Sequence, residues 1–187
     1  KADIVRNADA LTTLFERRGC TVSRIETAGS PVLIARRDVP SARGTLTFYM
    51  HYDGQPVNPS EWTKGQPFSP AAFLGDAAVD LSKDSGPLAQ DVRVYGRSAA
   101  DDKGPIIALL AALDGMKATK TAVRWNLRVV LDGEEEAGSP YFDATMKQHA
   151  TLASGDIAII VDSPRHPSGL PTVFHGSRGG VTAVVTV

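Results

Sequence analysis

Hydrophobic positions recur along the chain with two periods, which predict helices and strands in alternation. Residues 3–18 carry apolar side chains at the spacing of an amphipathic helix. Residues 106–116, preceded by Pro105, predict a second helix that is apolar on nearly every side. A third helix is predicted to open at Ser139 and Pro140, with the serine as its cap. Short apolar runs predict strands at residues 21–25, 32–36, 45–50, 92–95, 125–131, 157–161 and 181–187.

The order of these elements favours an α/β fold. Strands separated by helices are typical of a mostly parallel mixed sheet with helices on both faces. The 187 residues suit one domain of ordinary size, or one domain with a piece of another. Residues 52–91 form a stretch rich in Gly, Pro, Ser and Asp without sustained periodicity. Because a usual connection has only about 4–6 residues, we expect this long loop to be functional.

Side chains with metal-binding chemistry gather where the predicted strands end. Those that follow a strand, or that precede the second helix, are His51, Glu134, Glu135, Glu136, Asp162, Asp101 and Asp102. In open α/β sheets, ligands bind outside the carboxyl ends of the strands. The sequence therefore predicts that a histidine and several acids lie together at one end of the sheet.

Such a cluster has the composition of a divalent-metal site. Zinc accepts imidazole nitrogen and carboxylate oxygen, and one carboxylate can bridge two ions that activate a shared water. Without cations, this many buried carboxylates would protonate rather than stay charged. Asp53 stands two residues after His51, on the same side of an extended chain, and can accept the free ring N–H of a metal-bound imidazole.

Each piece of the cluster also has an ordinary structural explanation. A histidine at a strand end is commonly structural, and Asp101 with Asp102 could cap the following helix. Three successive glutamates are typical of a solvated turn, and an Asp before Ser-Pro is typical of a turn. Only the joint occurrence at successive strand ends favours a metal site. We assign no ligand role to Cys20 or to the remaining histidines, which are His149, His166 and His175.

Composition narrows the classes of partner. The chain has 20 Lys and Arg against 21 Asp and Glu, so it has no general attraction for nucleic acid or an anionic membrane. No run of 18 apolar residues is present, and a single cysteine cannot form an internal disulfide. We expect a cytoplasmic protein, with export left open because the chain begins at Lys1 without a Met.

Several longer motifs surround these residues. They are Tyr-Met-His-Tyr-Asp-Gly-Gln-Pro-Val at residues 49–57, Trp62 with Pro67 and Phe68, Tyr-Gly-Arg at 95–97, Asp-Asp-Lys-Gly-Pro at 101–105, and Gly-Glu-Glu-Glu-Ala-Gly-Ser at 133–139. In this combination the sequence resembles the dinuclear-zinc exopeptidase and deacylase family. That family includes carnosinases, glutamate carboxypeptidase, aminoacylase and succinyl-diaminopimelate desuccinylase, and the resemblance is greatest to its carnosinase-like dipeptidase branch.

The resemblance implies a role for each site residue. It implies that His51 and Asp162 bind the first metal ion, that Asp101 bridges both ions and that Glu136 binds the second. By the same register, Asp53 orients His51, Glu135 is the general base, and Glu134 lies outside the ligand set. The family usually has Glu where this chain has Asp132, and we expect this difference to be peripheral. The implied cofactors are two divalent ions, Zn²⁺ first, with Mn²⁺ or Co²⁺ as alternatives. The implied reaction is hydrolysis of the amide bond of a dipeptide or small acyl-amino acid through a water shared by the two ions.

The resemblance covers only the N-terminal portion of the family's chain. We expect residues 1–175 to be the first part of a metallopeptidase catalytic domain and residues 176–187 to begin a lid and dimerisation domain. The family's second metal also needs a later histidine. We therefore expect these 187 residues alone to be inactive and a homodimer, if formed, to use the lid. The family commonly has glycine at position 98, where this chain has Ser98.

Two other functions stay open at this point. Gly-Arg-Ser-Ala-Ala at residues 96–100 lies between a strand and a helix and loosely resembles the nucleophile turn of a serine hydrolase, with Ser98 as nucleophile. The second alternative is a metal-binding relative that has lost catalysis. Glu135 argues against it, because a binding module has no need of a base beside its ligands.

Overall fold

The main structural feature is a five-stranded mixed sheet. The computed structural model describes residues 2–83, 87–163, 166–174 and 176, so the strand predicted at 181–187 lies outside the described residues. The strands are β1 (Thr21–Ile25), β2 (Val32–Arg37), β3 (Thr45–His51), β4 (Ala71–Leu74), β5 (Ala77–Val79), β6 (Val92–Tyr95), β7 (Asn126–Asp132) and β8 (Ile157–Ile160). The helices are α1 (Ala2–Glu16), α2 (Lys103–Ala118), α3 (Phe142–Gln148) and α4 (Ala150–Ala153).

The order of strands in this sheet is β1-β2-β7-β3-β8. The first two ladders are antiparallel, and β3 runs parallel to both β7 and β8. The register pairs His51 with Asp132 across β3 and β7, and Tyr49 with Ile160 across β3 and β8. The carboxyl ends of three parallel strands therefore meet at one edge, which confirms the mixed α/β sheet and the arrangement of the strand ends.

Helices pack on both faces of the sheet because successive strand residues point to opposite sides. On one face, α1 and α2 bury Phe15 and Leu110 against Leu33 and Leu131. On the other face, residues from α3 and α4 pack against Ile34 and its neighbours. Each large apolar side chain removed from water in this way contributes about 1.5–3 kcal/mol, so both layers hold the strand ends in place.

A second, smaller sheet occupies the segment that sequence periodicity left without structure. Its strand order is β5-β4-β6, all antiparallel. Strands of three or four residues are too short to show a period, which explains why β4 and β5 were missed. β6 was correctly predicted as a strand, but it lies in this second sheet. The strand that leads to Asp101 is thus not part of the main sheet.

Three local predictions were wrong. Ser139 does not cap a helix: α3 begins at Phe142 with Tyr141 before it, and the Ser139 hydroxyl instead donates to Asp132 at 2.6 Å. The strand β8 was expected to be buried, yet all its residues are exposed, because within the described residues it pairs only with β3 at the rim of the sheet. Helix α2 starts at Lys103, so Pro105 is its third residue rather than its first.

Candidate metal centre

The imidazole of His51 is the centre of the site. His51 is the last residue of β3 and is 1% exposed. Its Nδ1–H donates to Oδ1 of Asp53 at 3.1 Å. Its Nε2 lies 2.9 Å from Oδ1 of Asp101, 3.8 Å from Oδ1 of Asp162 and 3.9 Å from Oε2 of Glu135. Acids from separate parts of the chain therefore converge on one buried ring.

Asp53 connects the imidazole to the segment that carries the glutamates. Besides His51, its carboxylate accepts the backbone N–H of Glu135 at 3.2 Å and that of Glu136 at 3.1 Å. The side chain is almost fully buried, and these bonds hold it with both oxygens engaged. Asp53 thus fixes the His51 ring and the start of the Glu135–Ala137 turn relative to each other.

Two overlapping groups of side chains can each hold a cation. In the first, His51, Asp101 and Asp162 offer ligand atoms that all lie within 4.8 Å of one another. In the second, His51, Glu135 and Glu136 do the same. The two groups together contain all four metal ligands predicted from the sequence, with the expected base, Glu135, beside them.

The donors present fit divalent ions such as zinc. One imidazole nitrogen with several carboxylate oxygens is a ligand set that zinc accepts. A second observation supports the fit: Oε1 of Glu136 is buried and has no hydrogen-bond partner among the described residues. A buried carboxylate oxygen without a partner is costly, and a bound cation would remove that cost.

The acids around His51 favour its protonated form. Burial opposes protonation, but the hydrogen bond to Asp53 and the charges of Asp162 and Asp53 outweigh it and raise the pKa of His51 to about 9. Burial raises the pKa of Glu135, and although the His51 charge opposes this, the nearby Asp162 and Glu136 add to it. The excess of acids thus favours positive charge at this position.

Asp102 holds the backbone of His51. It is 1% exposed, and its Oδ2 accepts the His51 N–H at 3.1 Å. It occupies the residue before α2, but its side chain makes no capping bond. Burial raises the pKa of Asp102 to about 7, against the opposing effects of the His51 hydrogen bond and charge. The capping role considered for this segment is therefore not the role that Asp102 has.

Asp132 is the residue whose importance the sequence did not reveal. The family difference at this position was expected to be peripheral, yet Asp132 is 3% exposed, and its carboxylate accepts the Glu134 N–H at 3.0 Å and the Ser139 hydroxyl. Glu134 itself belongs to neither ligand group, and its carboxyl oxygens lie where a side chain on Gly29 would be. The sequence signal for this role is an Asx-turn: an Asp at the start of a turn can accept the backbone N–H two residues later, as Asp132 does from Glu134.

The remaining candidates that the structure describes belong to neither group of potential ligands. Trp62 is half-buried, donates its Nε1–H to the Lys64 carbonyl at 2.8 Å and stacks under Arg97 with the guanidinium 5.7 Å from its ring. It therefore holds the long loop, whereas Phe68 is 75% exposed. His149 directly follows α3, His166 is exposed, and His175 lies outside the described residues. Cys20 is buried in the main core.

Comparison with known proteins agrees with this fold. Residues 47–176 match Peptidase family M20/M25/M40, more than half of the chain, and the chain belongs to this family. It is 28% identical to Beta-Ala-His dipeptidase of Homo sapiens over 84% of this chain, and 29% identical to cysteinylglycine-S-conjugate dipeptidase of Corynebacterium striatum over 91%. The predicted family is thereby confirmed.

A solved structure of the same family has the same fold over most of this chain. The M20 family metallo-carboxypeptidase Sso-CP2 from Sulfolobus solfataricus superposes with a TM-score of 0.70 and 30% identity over 89% of this chain. The chain spans 28% of the human dipeptidase and 34% of both the Corynebacterium dipeptidase and the Sulfolobus carboxypeptidase. Within the described residues, no helix is long and apolar enough to cross a bilayer.

Proposed function

We propose that this chain carries much of the catalytic site of a metal-dependent peptidase that hydrolyses the amide bond of a dipeptide or small acyl-amino acid. One observation carries the proposal: a buried imidazole has a carboxylate on one nitrogen and three more carboxylates within 3.9 Å of the other. Relatives named as dipeptidases and a carboxypeptidase support the substrate class.

Two divalent ions are the proposed cofactors, with Zn²⁺ preferred and Mn²⁺ or Co²⁺ accepted by the same oxygen and nitrogen donors. His51, Asp101 and Asp162 would hold the first ion, and Asp101 with Glu136 the second. When bound, such ions polarise a carbonyl oxygen and lower the pKa of water. Glu136 contributes the buried oxygen that lacks a partner in the described part of the chain.

Glu135 is the proposed general base. Its carboxyl group is one-third exposed and has an Oε2 atom 3.9 Å from His51 Nε2, so it lies beside the proposed ligands and can still meet substrate. Burial raises its pKa, and a carboxylate with a raised pKa is a stronger base than an ordinary surface glutamate. We propose that Glu135 takes a proton from the attacking water and passes it to the departing amine.

Asp53 is proposed to act through His51. With Nδ1–H donated to Asp53, the lone pair of the neutral ring lies on Nε2, the nitrogen that faces Asp101 and Asp162. A carboxylate behind the imidazole also makes the ring a stronger ligand. Asp53 therefore selects which nitrogen binds metal and does not bind it itself.

The proposal assigns full activity to a longer protein. Because the chain spans about a third of its relatives, we propose that another part of the protein completes the second metal site, selects the substrate and forms any homodimer. These 187 residues alone are then expected to be inactive. The lid assigned to residues from 176 onward remains a prediction.

The geometry does not favour a serine hydrolase. Both nitrogens of His51 face carboxylates, so this imidazole is not arranged as the base for Ser98. Ser98 is also buried, with 5% of its surface exposed. The nucleophile of a serine hydrolase must reach both a base and the substrate.

Inhibition of the full-length protein tests the proposal. A chelator should abolish hydrolysis of a dipeptide panel, and added zinc or manganese should restore it, because the acids around His51 cannot act without cations. A serine-directed phosphonate should have no effect, and it serves as the matched control. Loss of activity with the phosphonate and none with the chelator would overturn the metallopeptidase assignment.

A further inference from the structure

Asp132 directly precedes the acidic turn, defined as residues 133–139. Asp132 ends β7 opposite His51 in the sheet register. Its backbone carbonyl accepts the N–H of Tyr52 at 2.9 Å, so the backbone around Asp132 is bonded to the chain that carries the imidazole. Its side chain points to the acidic turn rather than to the metal ligands.

The carboxylate of Asp132 holds both ends of the acidic turn. Oδ1 accepts the N–H of Glu134 at 3.0 Å, and Oδ2 accepts the hydroxyl of Ser139 at 2.6 Å. Between these points the turn closes on itself, with Ser139 N–H donating to the Glu134 carbonyl at 2.9 Å. One buried side chain thus sets the path of the whole segment.

Packing around Gly133 restricts the path of the backbone where it enters the acidic turn. Gly133 has no room for a side chain, since a Cβ there would lie 2.6 Å from the Tyr52 hydroxyl and 2.9 Å from the Pro31 carbonyl oxygen. The Tyr52 hydroxyl itself donates to that carbonyl. The backbone therefore leaves β7 in one direction, and the bonds from Asp132 determine where it goes next.

The glutamates that chemistry requires lie at the middle of this turn. Their backbone N–H groups face Asp53, and a ligand atom of each lies within 4.8 Å of one on His51. Metal and acid–base sites depend strongly on such supporting hydrogen bonds. We infer that Asp132 is a positioning residue for Glu135 and Glu136, acting through the two ends of the acidic turn. This inference rests on the proposed function.

The test compares three variants of the full-length protein. Asp132→Ala removes both hydrogen bonds to the turn. Asp132→Asn keeps the shape, keeps an acceptor for Glu134 N–H and can donate to the Ser139 oxygen, so it should rescue. Asp143→Ala is the matched control, because Asp143 is exposed on α3 and forms an ion pair with Lys147 on the same helix.

Two readouts separate positioning from general stability. Amide hydrogen exchange should accelerate at Glu135 and Glu136 in Asp132→Ala, while Leu33 and Leu131 in the main sheet keep the protection that they have in wild type. Cobalt affinity, read from visible absorption well below the unfolding temperature, should fall about 10–100-fold. Asp132→Asn and Asp143→Ala should stay close to wild type in both readouts.

The outcomes that contradict the inference differ from those that contradict the function. If Asp132→Ala loses protection uniformly across the sheet, or binds cobalt as wild type does, Asp132 is only a stabilising residue and the inference fails alone. If the wild-type protein binds no cobalt, the proposed metal function fails and the inference fails with it.

Discussion

His51 donates from Nδ1 to Asp53 at 3.1 Å, and this bond orients the imidazole so that Nε2 is the nitrogen near the other acids. Nε2, the other ring nitrogen, lies within 3.9 Å of carboxylate oxygens of Asp101, Glu135 and Asp162. Because Asp53 also accepts two backbone N–H groups from the acidic turn, the ring and the glutamates share one support.

Metal affinity should rise with pH. The pKa of His51 is raised to about 9 in the metal-free site, so its ring is protonated at pH 7, whereas a metal ligand must be neutral. Binding then releases a proton, and affinity should increase about tenfold for each pH unit up to pH 9 and level off above it. Calorimetric titrations in buffers with different ionisation enthalpies measure the released proton. His149→Gln should keep the same slope, and an affinity independent of pH would contradict this account of His51.

Glu135→Gln should separate binding from turnover. The amide keeps the size of the side chain but cannot accept a proton, so kcat of the full-length protein should fall by about 10²–10⁴-fold with little loss of metal. Glu134→Gln is the control, because Glu134 lies against Gly29 and belongs to neither ligand group. A Glu135→Gln variant that keeps the wild-type rate would remove Glu135 from the mechanism.

The metal-free protein should lose stability as pH rises from about 4 to 7, and Asp102 should be one cause. The pKa of this acid is raised on folding to about 7 from 3.8, so in this window the folded state binds more protons than the unfolded state. Raising the pH through the window therefore lowers the free energy of unfolding, by about 2–4 kcal/mol for this one group. Urea unfolding of Asp102→Asn in the presence of a chelator should show a flatter dependence. Equal pH slopes for variant and wild type would refute the assignment.

Ser98→Gly should stabilise the fold. Ser98 has φ of +62°, a left-handed conformation that costs about 1–2 kcal/mol for a residue with a side chain, and glycine would avoid most of that cost. Greater freedom of glycine in the unfolded chain offsets part of the gain, so we expect about 0.5–1 kcal/mol in chemical denaturation. Ser98→Ala keeps the conformational cost and should not stabilise. If alanine and glycine behave alike, the backbone conformation is not the cause.

The location of the site was predictable from sequence because it depends on strand ends. Three apolar runs end at or just before the candidate residues: one at His51, one before the acidic turn and one before Asp162. They were sufficient to locate the site, because parallel strands bring their carboxyl ends to one edge of the sheet. The roles of the individual acids were not predictable from spacing and came from the resemblance to a family. The family also commonly has glycine where Ser98 adopts its left-handed backbone, which gives that departure a physical meaning.

What the sequence did not show depends on contacts between distant residues. Asp132 reads as the end of a strand, and only the folded chain places its carboxylate between Glu134 and Ser139. Asp102 reads as a helix cap, yet it bonds to His51 at a distance of 51 residues in sequence. The strands β4 and β5 are too short to carry a hydrophobic period. The local hydrophobic pattern was therefore sufficient to predict most helices and strands, whereas the supporting roles of Asp132 and Asp102 depend on contacts that only the folded chain shows.

The central claim is that His51, Asp101, Glu136 and Asp162 hold two divalent ions. Anomalous diffraction at the zinc edge, from crystals of the full-length protein grown with zinc, tests it most directly. The account predicts two peaks about 3.5–4 Å apart, with Asp101 between them, one beside Nε2 of His51 and Asp162 and the other beside Glu136. Zinc peaks that avoid these side chains, or no peak in an otherwise well-ordered site, would contradict it.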